Sequence, residues 1–292
     1  MVYKTTGYRI FTVLNTVFLA LTALLCLLPM VHILAVAFSG KAAASANLVN
    51  FWPIDFTWDA FQETFTNRNF VNALGISVYR TVLGTGLFLV VLLLTGYPLS
   101  KEARMFRGRN VYVWFFVFTM LFSGGIVPSY ILIMKLGLSN TIWALVLPGA
   151  VEVFSVILML NFFRGIPKEL EESALIDGAS HAVTMIRVYL PLSLPAVATL
   201  ALFTMVGHWN SWFDGMIYNT RAEFYPLATL LQTIIVQQDF SKITADPATL
   251  ANISSRTVKA AQIFIGALPI LAVYPFLQKY FVKGIVMGAV KE

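Results

Sequence analysis

Six long apolar stretches constrain this chain more than any other feature. A helix needs about 20 mostly apolar residues to cross the hydrocarbon of a bilayer. Residues 10–38, 73–99, 111–127, 141–163, 192–212 and 260–281 approach or exceed that length. The expected fold is therefore all-α and integral to the membrane, with six transmembrane helices. A membrane β-barrel alternates polar and apolar residues over segments of about 10 residues, whereas Leu87–Leu94 is continuously apolar. The third stretch is the weakest, because Ser123-Gly124-Gly125 and Pro128 interrupt it. Ile131–Leu138 either extends it or forms a surface helix. Composition closes the alternatives. Of the 292 residues, 58% are hydrophobic and 12% charged, against about 25% charged in a soluble domain. A soluble or disordered chain and, with the single Cys26, a disulfide scaffold are excluded.

Lys and Arg set the orientation. The N-terminus, residues 100–110, residues 164–187 and the tail from 279 hold twelve of them, the opposite side seven on longer loops. The richer side is expected to face the cytoplasm, with both termini inside. The formal charge of +6 then reflects loop placement and implies no nucleic-acid partner. Lys4 and Arg9 precede the first stretch in the manner of a signal peptide. A signal's apolar region spans about 7–15 residues, so this longer one is expected to stay attached. The chain reads as one membrane domain over 1–292, with outer loops at about 39–72 and 213–259. Aromatic residues in those loops, such as Trp52, Trp58 and Phe61, read as interface anchors.

Several chemistries lack a carrier. No G-x-x-x-x-G-K-[ST] phosphate loop occurs, since Gly40-Lys41 is followed by Ala42. His32, His181 and His208 lie far apart without metal-ligand spacing. Cys26 lies in an apolar stretch and reads as packing. No nucleophile–base–acid arrangement stands out, so the chain is expected to be no enzyme and to hold no cofactor or metal.

The informative polar stretch is 164–187, R-G-I-P-K-E-L-E-E-S-A-L-I-D-G-A-S-H-A-V-T-M-I-R. It predicts two short helices outside the bilayer. Pro167 suits a first helical position. Glu169, Glu171 and Glu172 follow where the helix dipole favours anions. Gly178 fits a left-handed stop, and Ser180 can cap a second helix running to Pro191. Leu170 and Ala174 share a face, with the small Ser173 beside them. Small residues let a helix sit deep in another protein's groove, and flanking carboxylates can pair with Arg there. An amphipathic helix on the membrane surface is the other reading. The acidic cluster opposes it, because the inner leaflet is negative.

Glu172-Ser173-Ala174, three residues, Gly178, nine residues, then Val188-Tyr189-Leu190-Pro191 resembles the signature of binding-protein-dependent ABC importer permeases. That pattern is E-A-A, three residues, Gly, nine residues, I-x-L-P; Ser173 replaces Ala and Val188 replaces Ile. Leu136-Gly137-Leu138-Ser139-Asn140-Thr141, Ile166-Pro167-Lys168, Trp209-Asn210 and the tail from Val282 to Glu292 resemble the carbohydrate branch, in particular the maltose-type second permease. The similarity is strongest towards oligosaccharide importers, alginate importers included. The resemblance implies a type I importer fold and ATP-driven alternating access. It implies a homologous second permease, two ATPase subunits that carry ATP and Mg, and a periplasmic or lipoprotein solute-binding protein delivering an oligosaccharide. Localisation in the bacterial inner membrane follows. Glu171, Glu172, Ser173, Ala174, Asp177 and Gly178 would form the helix coupled to an ATPase. Part of 213–259 would probe the binding protein.

Arg80 and Glu152 fall within expected spans, where charge is costly and faces a partner or water. They line or gate a pathway, or pair with each other, or Arg80 snorkels outward. Trp209, Asn210, Trp212 and Asp214 combine aromatic faces with polar groups, as sugar recognition requires; an interfacial aromatic belt is the alternative. The glycines at 75, 84, 86 and 96 suggest close helix packing. Pro191, Pro195, Pro269 and Pro275 predict kinks or breaks. A self-contained secondary transporter or channel is the other functional class, but it gives the acidic inner helix no role.

Overall fold

The computed structural model describes residues 5–241 and 256–289, and every regular element among them is helical. Thr6–Ala37, Arg68–Ser100 and the Arg256–Val273 portion of the last helix are each long and apolar enough to cross a bilayer. The helices of the other three expected spans each meet a neighbouring helix at a sharp bend, the neighbour of the fifth being the short helix expected before it. Arg109–Leu121 meets Ile126–Lys135 at 112°, Ile142–Gly149 meets Val153–Arg164 at 49°, and His181–Leu192 meets Leu194–Asn210 at 83°.

Each bend has a local cause. At the first, Gly125 adopts φ +82°, a left-handed conformation open to glycine at little cost. Ile126–Lys135 is thus a helix of its own, turned sharply from the one before it. At the second, Pro148 leaves a carbonyl of the preceding turn without its donor. At the third, Pro191 and Pro195 flank Ser193, whose backbone N–H bonds back to Tyr189 and Leu190; Met185–Tyr189 just before it is a π-helical turn. The last helix departs from expectation. Arg256–Ala289 runs through Pro269 and Pro275 without a break. In a long apolar helix neighbouring turns and packing can absorb the one bond each proline removes.

Two compact units are present. One joins the described residues up to Val71 with those from Ile235 to Leu268. Its core is small-residue packing, with Ala35, Ala37, Ala44, Ala60 and Ala261 buried together. Ser39 holds the turn after the first helix by donating to the Ala35 carbonyl (2.7 Å) and accepting from the Ile54 N–H (3.0 Å). Phe38, Phe56, Trp58 and Phe61 stack on one another at 4.7–5.9 Å between ring centroids. Phe61 is half-buried in this cluster, while Trp58, despite its ring contacts, is 57% exposed and Trp52 83%.

The second unit joins the residues from Asn72 to Ile234 with those from Pro269 onward. Its core comes from three helices: Phe88 and Leu92 on Arg68–Ser100, Met159 and Phe163 on Val153–Arg164, and Leu200 on Leu194–Asn210. Lipid tails are as apolar as these side chains, so close packing and satisfied polar groups favour the assembly more than transfer from water does. Two of the four glycines take part. A Cβ on Gly84 would lie 2.3 Å from His208 Nε2, and one on Gly96 would touch Met159 and Phe163 at 3.5 Å. Gly75 and Gly86 have open space instead.

Candidate functional site

The polar stretch folds much as its local signals require. Lys168–Ile176 is a helix of nine residues with Glu169 and Glu171 in its first turn. Pro167 stands one residue earlier than expected, as the cap residue. At the other end Gly178 has φ +82°. Its N–H bonds to the Leu175 carbonyl (3.0 Å), and the Ala179 N–H bonds to the Ala174 carbonyl (2.9 Å). That crossed pair satisfies carbonyls which a helix end leaves orphaned. Ser180 then caps His181–Leu192, its hydroxyl accepting from the Val183 N–H at 3.4 Å.

What local signals leave open is which way the carboxylates point. Glu171 turns inward. Its carboxylate pairs with Lys101 at 2.7 Å, and the two side chains are 9% and 8% exposed. The Tyr189 hydroxyl donates to Oε2 (2.7 Å) and the Tyr97 hydroxyl to Oε1 (3.4 Å). His181 Nδ1 lies 3.4 Å from the same Tyr97 oxygen. The Lys101 ammonium sits 3.9 and 4.0 Å from the ring centroids of Tyr97 and Tyr189, within cation–π range. Burial opposes the charge on Glu171, but hydrogen bonds from Lys101 and Tyr189 and the charges of Lys101 and His181 hold the carboxyl below its usual range. For Lys101 burial dominates and pushes the ammonium down, against the hydrogen bond and charge of Glu171. Burial, then the bond to Glu171, pushes the Tyr189 phenol up. On the surface nearby, Lys168 pairs with Glu102; at that exposure the pair contributes little to stability.

The opposite face of the short helix is open. Glu172, Ser173, Asp177 and Gly178 are exposed, Ala174 half-buried. Ile176 is 85% exposed, an apolar knob with Glu172 one turn before it and Asp177 next in sequence. A hollow of about 590 Å³ adjoins the helix, with Lys101, Arg109, Arg164, Glu172 and Leu175 on its walls. Of the six residues expected to couple outward, Glu171 thus faces the protein instead, because its ion pair and two phenols are all on that side. Ile176 and the Tyr97–Lys101–Tyr189 set went unread in the sequence. Ile176 stands four residues after Glu172, a spacing that gives one helical face. The set has only the weak signal of Tyr97 and Lys101 four apart at a span's end.

A second polar cluster lies in the middle of the same unit. Arg80, 2% exposed, donates through Nη1 to the Ser211 carbonyl (3.1 Å) and Asp214 Oδ1 (3.2 Å), and through Nη2 to Asp214 Oδ2. Asp214 also accepts from the Ser211 hydroxyl and the Gly215 N–H, both at 2.8 Å. Arg80 therefore pairs with Asp214 and not with Glu152. Glu152 is exposed and lies in the break ahead of Val153–Arg164, where it accepts from the Ser155 hydroxyl at 2.6 Å. Arg80, Glu152 and Asp214 share a cavity of about 520 Å³ with His208, Phe203 and Tyr218. The two tryptophans and the amide expected beside them are elsewhere. Trp209 is buried against a separate apolar hollow of about 280 Å³ with Val78 and Leu202. Asn210 and Trp212 are exposed and line neither space; the Trp212 carbonyl accepts from Thr229 (2.8 Å).

No protein-family model matches the chain. Among curated proteins it is 40% identical over 289 residues to protein LplC of Bacillus subtilis, covering 99% of this chain and 97% of that one. It is 37% identical over 286 residues to the polygalacturonan/rhamnogalacturonan transport system permease protein YtcP of the same species, covering 97% and 99%. Among solved structures it superposes, with a TM-score of 0.84 and 30% identity over 96% of this chain and 100% of the other, on a chain of a bacterial ABC transporter involved in import of the acidic polysaccharide alginate.

Proposed function

Because the chain belongs to the permease subunits of ABC sugar importers, we propose that it forms one half of a membrane pathway through which an oligosaccharide enters the cell, driven by separate ATPase subunits. The substrate class is a fragment of a plant or algal polysaccharide, in keeping with the systems that the similar proteins serve. A homologous second permease completes the pathway, and two cytoplasmic ATPases bind and hydrolyse ATP. A solute-binding protein delivers the sugar from outside, in the bacterial inner membrane. Both termini lie inside. Of the proposed outer contact at 213–259, residues 242–255 lie outside the described residues, as do 290–292 of the tail.

One observation carries the coupling role: Lys168–Ile176 is pinned on one side and bare on the other. Glu171 ties its inner face to Lys101 at the end of Arg68–Ser100 and to Tyr189 on His181–Leu192. Its outer face offers Ile176, Glu172 and Asp177 to a groove with an apolar floor and basic rim. A helix fixed so moves as a rigid body with the helices that hold it. ATP-driven displacement of its outer face is then passed to the bent spans, and these alternate between outward and inward openings. Ile176 supplies the buried contact, and the carboxylates supply orientation.

Two substitutions test this. Gly178→Leu places a branched side chain at φ +82°, at a cost of about 1–2 kcal/mol, and misaligns the helix end. The chain is expected to insert normally while transport and substrate-stimulated ATP hydrolysis in the reconstituted complex fall at least about tenfold. Ile176→Asp, with Glu172→Lys as its partner variant, is expected to reduce co-purification of the ATPases by a similar factor without changing the chain's own thermal unfolding. Undiminished assembly of both variants, or uptake by the permeases alone under an ion gradient, overturns the reading.

A further inference from the structure

The first helix carries its own depth scale. Arg9 marks its inner end, and no Lys, Arg, Asp or Glu follows before Lys41. A helix with little tilt crosses the roughly 30 Å of hydrocarbon in about 20 residues, which puts the far boundary near Met30. His32 then lies at the level of the lipid headgroups, about 10 Å short of Ser39 along the axis.

The loop beyond this helix turns back to that level. Asn47, at φ +58°, closes the short helix Lys41–Ser45. Its N–H bonds to the Ala44 carbonyl (3.3 Å), and the Leu48 N–H bonds to the Ala43 carbonyl (3.1 Å). Val49 is buried among the alanines of this unit. The Asn50 carbonyl then meets His32 Nδ1 at 2.7 Å. A carbonyl can only accept, so Nδ1 carries the proton. Four residues on, Ile54 is pinned at the helix top. Its N–H donates to the Ser39 hydroxyl, and its carbonyl accepts from the Gly40 N–H at 2.9 Å. Four extended residues reach about 13 Å, so residues 50–54 have the length to climb from His32 to Ser39. Leu48, Phe51, Trp52, Ile54 and Phe56 are all exposed, and Asp55 is the only charged residue within 48–58. The exposed pair of Lys41 and Glu63 stands apart on two short helices, Lys41–Ser45 and Asp59–Thr66.

We propose that residues 48–56 form a lip seated in the bilayer leaflet opposite the N-terminus, its apolar side chains among the headgroups and the tops of the acyl chains, with the His32–Asn50 bond setting its depth. The inference rests on the first helix crossing the bilayer and is independent of the importer reading. Five large apolar side chains exposed within nine residues mark a contact surface, unlike apolar residues scattered singly. The level of His32 selects lipid as the partner. A soluble protein meets this unit from the side of Lys41 and Glu63, whereas Phe51 and Trp52 follow directly on Asn50, at a depth where aromatic rings are favoured because one end is apolar and the other wet.

The test places a nitroxide label, one at a time, on Leu48→Cys, Trp52→Cys and Gln62→Cys in a Cys26→Ser background, with the full chain assembled in its complex in phosphatidylglycerol–phosphatidylcholine vesicles. Spin-relaxation measurements compare collisions with oxygen, which concentrates in lipid, and with a water-soluble nickel chelate. The oxygen-to-nickel ratio at 48 and 52 is expected to exceed that at the exposed Gln62 at least about fivefold, as residence at an apolar boundary requires. His32→Leu removes the clasp and is expected to erase at least about half of that difference at 52 while leaving 62 unchanged; His32→Gln, which can still donate to the carbonyl, is expected to keep it. A label at 52 as open to nickel as one at 62 overturns the lip. So does a label at 52 shielded from both reagents, which assigns the surface to another protein chain, or shielding that arises only when a solute-binding protein is added. A depth at 52 unmoved by His32→Leu overturns the clasp. The contrast between 52 and 62 in the chain with His32 intact decides the lip even where the His32 variants fail to assemble.

Discussion

Glu171→Ala is expected to uncouple the importer. The substitution leaves the Lys101 ammonium buried over two tyrosine rings with no counter-charge, and removal of one partner from such a pair costs about 3–5 kcal/mol. The local consequence is release of Lys168–Ile176 from its anchor. Hydrogen exchange in that helix should quicken by roughly a hundredfold or more, as a local opening energy lowered by that amount dictates. The functional consequence is ATP hydrolysis without matching uptake in proteoliposomes, since a lever loose at its pivot passes no motion on. The double variant Lys101→Met with Glu171→Leu separates anchoring from charge. An apolar pair of similar volume commonly matches or exceeds a buried ion pair in stability, so the double is expected to regain slow exchange and most of the coupling. Normal coupling in the single variant sinks the anchor, and a double that stays stable yet uncoupled shows that the charge itself is needed.

The same pair predicts a pH response. The folded-state value of Glu171 lies below the ordinary 4.5. The carboxylate therefore contributes stability that is fully present above pH 4.5 and is lost as pH falls through the folded value. Lys101 has the opposite sense of penalty. Its value is lowered from 10.5, so the cost of burying the ammonium is constant at neutral pH and is relieved as pH rises towards 10.5. Docking of the short helix should be level through the neutral range and weaken in acid, and the acid arm should vanish in Glu171→Gln.

Arg80→Met carries the second large effect. It strips Asp214 of its main cation inside the protein, where the remaining donors are one hydroxyl and one backbone N–H. Asp214 is a quarter exposed, so the cost is below that of the sealed Lys101–Glu171 pair, about 2–3 kcal/mol. It falls where Leu194–Asn210 gives way to Phe213–Tyr218, so folded yield on sizing columns and uptake should both drop more than tenfold. Swapped charges identify the partner. Arg80→Asp with Asp214→Arg is expected to recover part of the yield, while Arg80→Glu with Glu152→Arg is expected to recover none. Rescue by the second pair alone contradicts the geometry.

Membrane residence was readable because the bilayer imposes one demand, about 20 apolar residues per crossing, which composition alone reveals. The ends of the short helix were readable for a similar reason. Pro167, Gly178 and Ser180 act within three or four residues of themselves, and capping chemistry depends on little else. The bend at Pro191 and Pro195 was readable, yet Pro269 and Pro275 carry the same residue type inside one continuous helix. A missing N–H sets a local cost, and packing decides whether the helix pays it by breaking or by staying intact.

The sites follow the same division. That Arg80 needed a partner was evident from its place in an apolar run. That the partner is Asp214, 134 residues away, and not Glu152, was not. Nor did the pattern of carboxylates in Glu169, Glu171 and Glu172 tell which would turn inward, because Lys101, Tyr97 and Tyr189, 70, 74 and 18 residues away in sequence, together decide it. Trp209 and Trp212 drew notice as aromatic residues, while the cavity took His208, Ser211 and Tyr218.

By itself the sequence determined that this chain lives in a membrane and that one short acidic helix, stopped at Gly178, lies between two apolar stretches. Tertiary structure alone decided which carboxylate anchors that helix, which faces outward, and which charges cancel in the central cavity. The physical reason is range. Solvation and capping act on a residue through its immediate neighbours, whereas a buried charge takes whichever counter-charge the packed fold brings within about 3 Å.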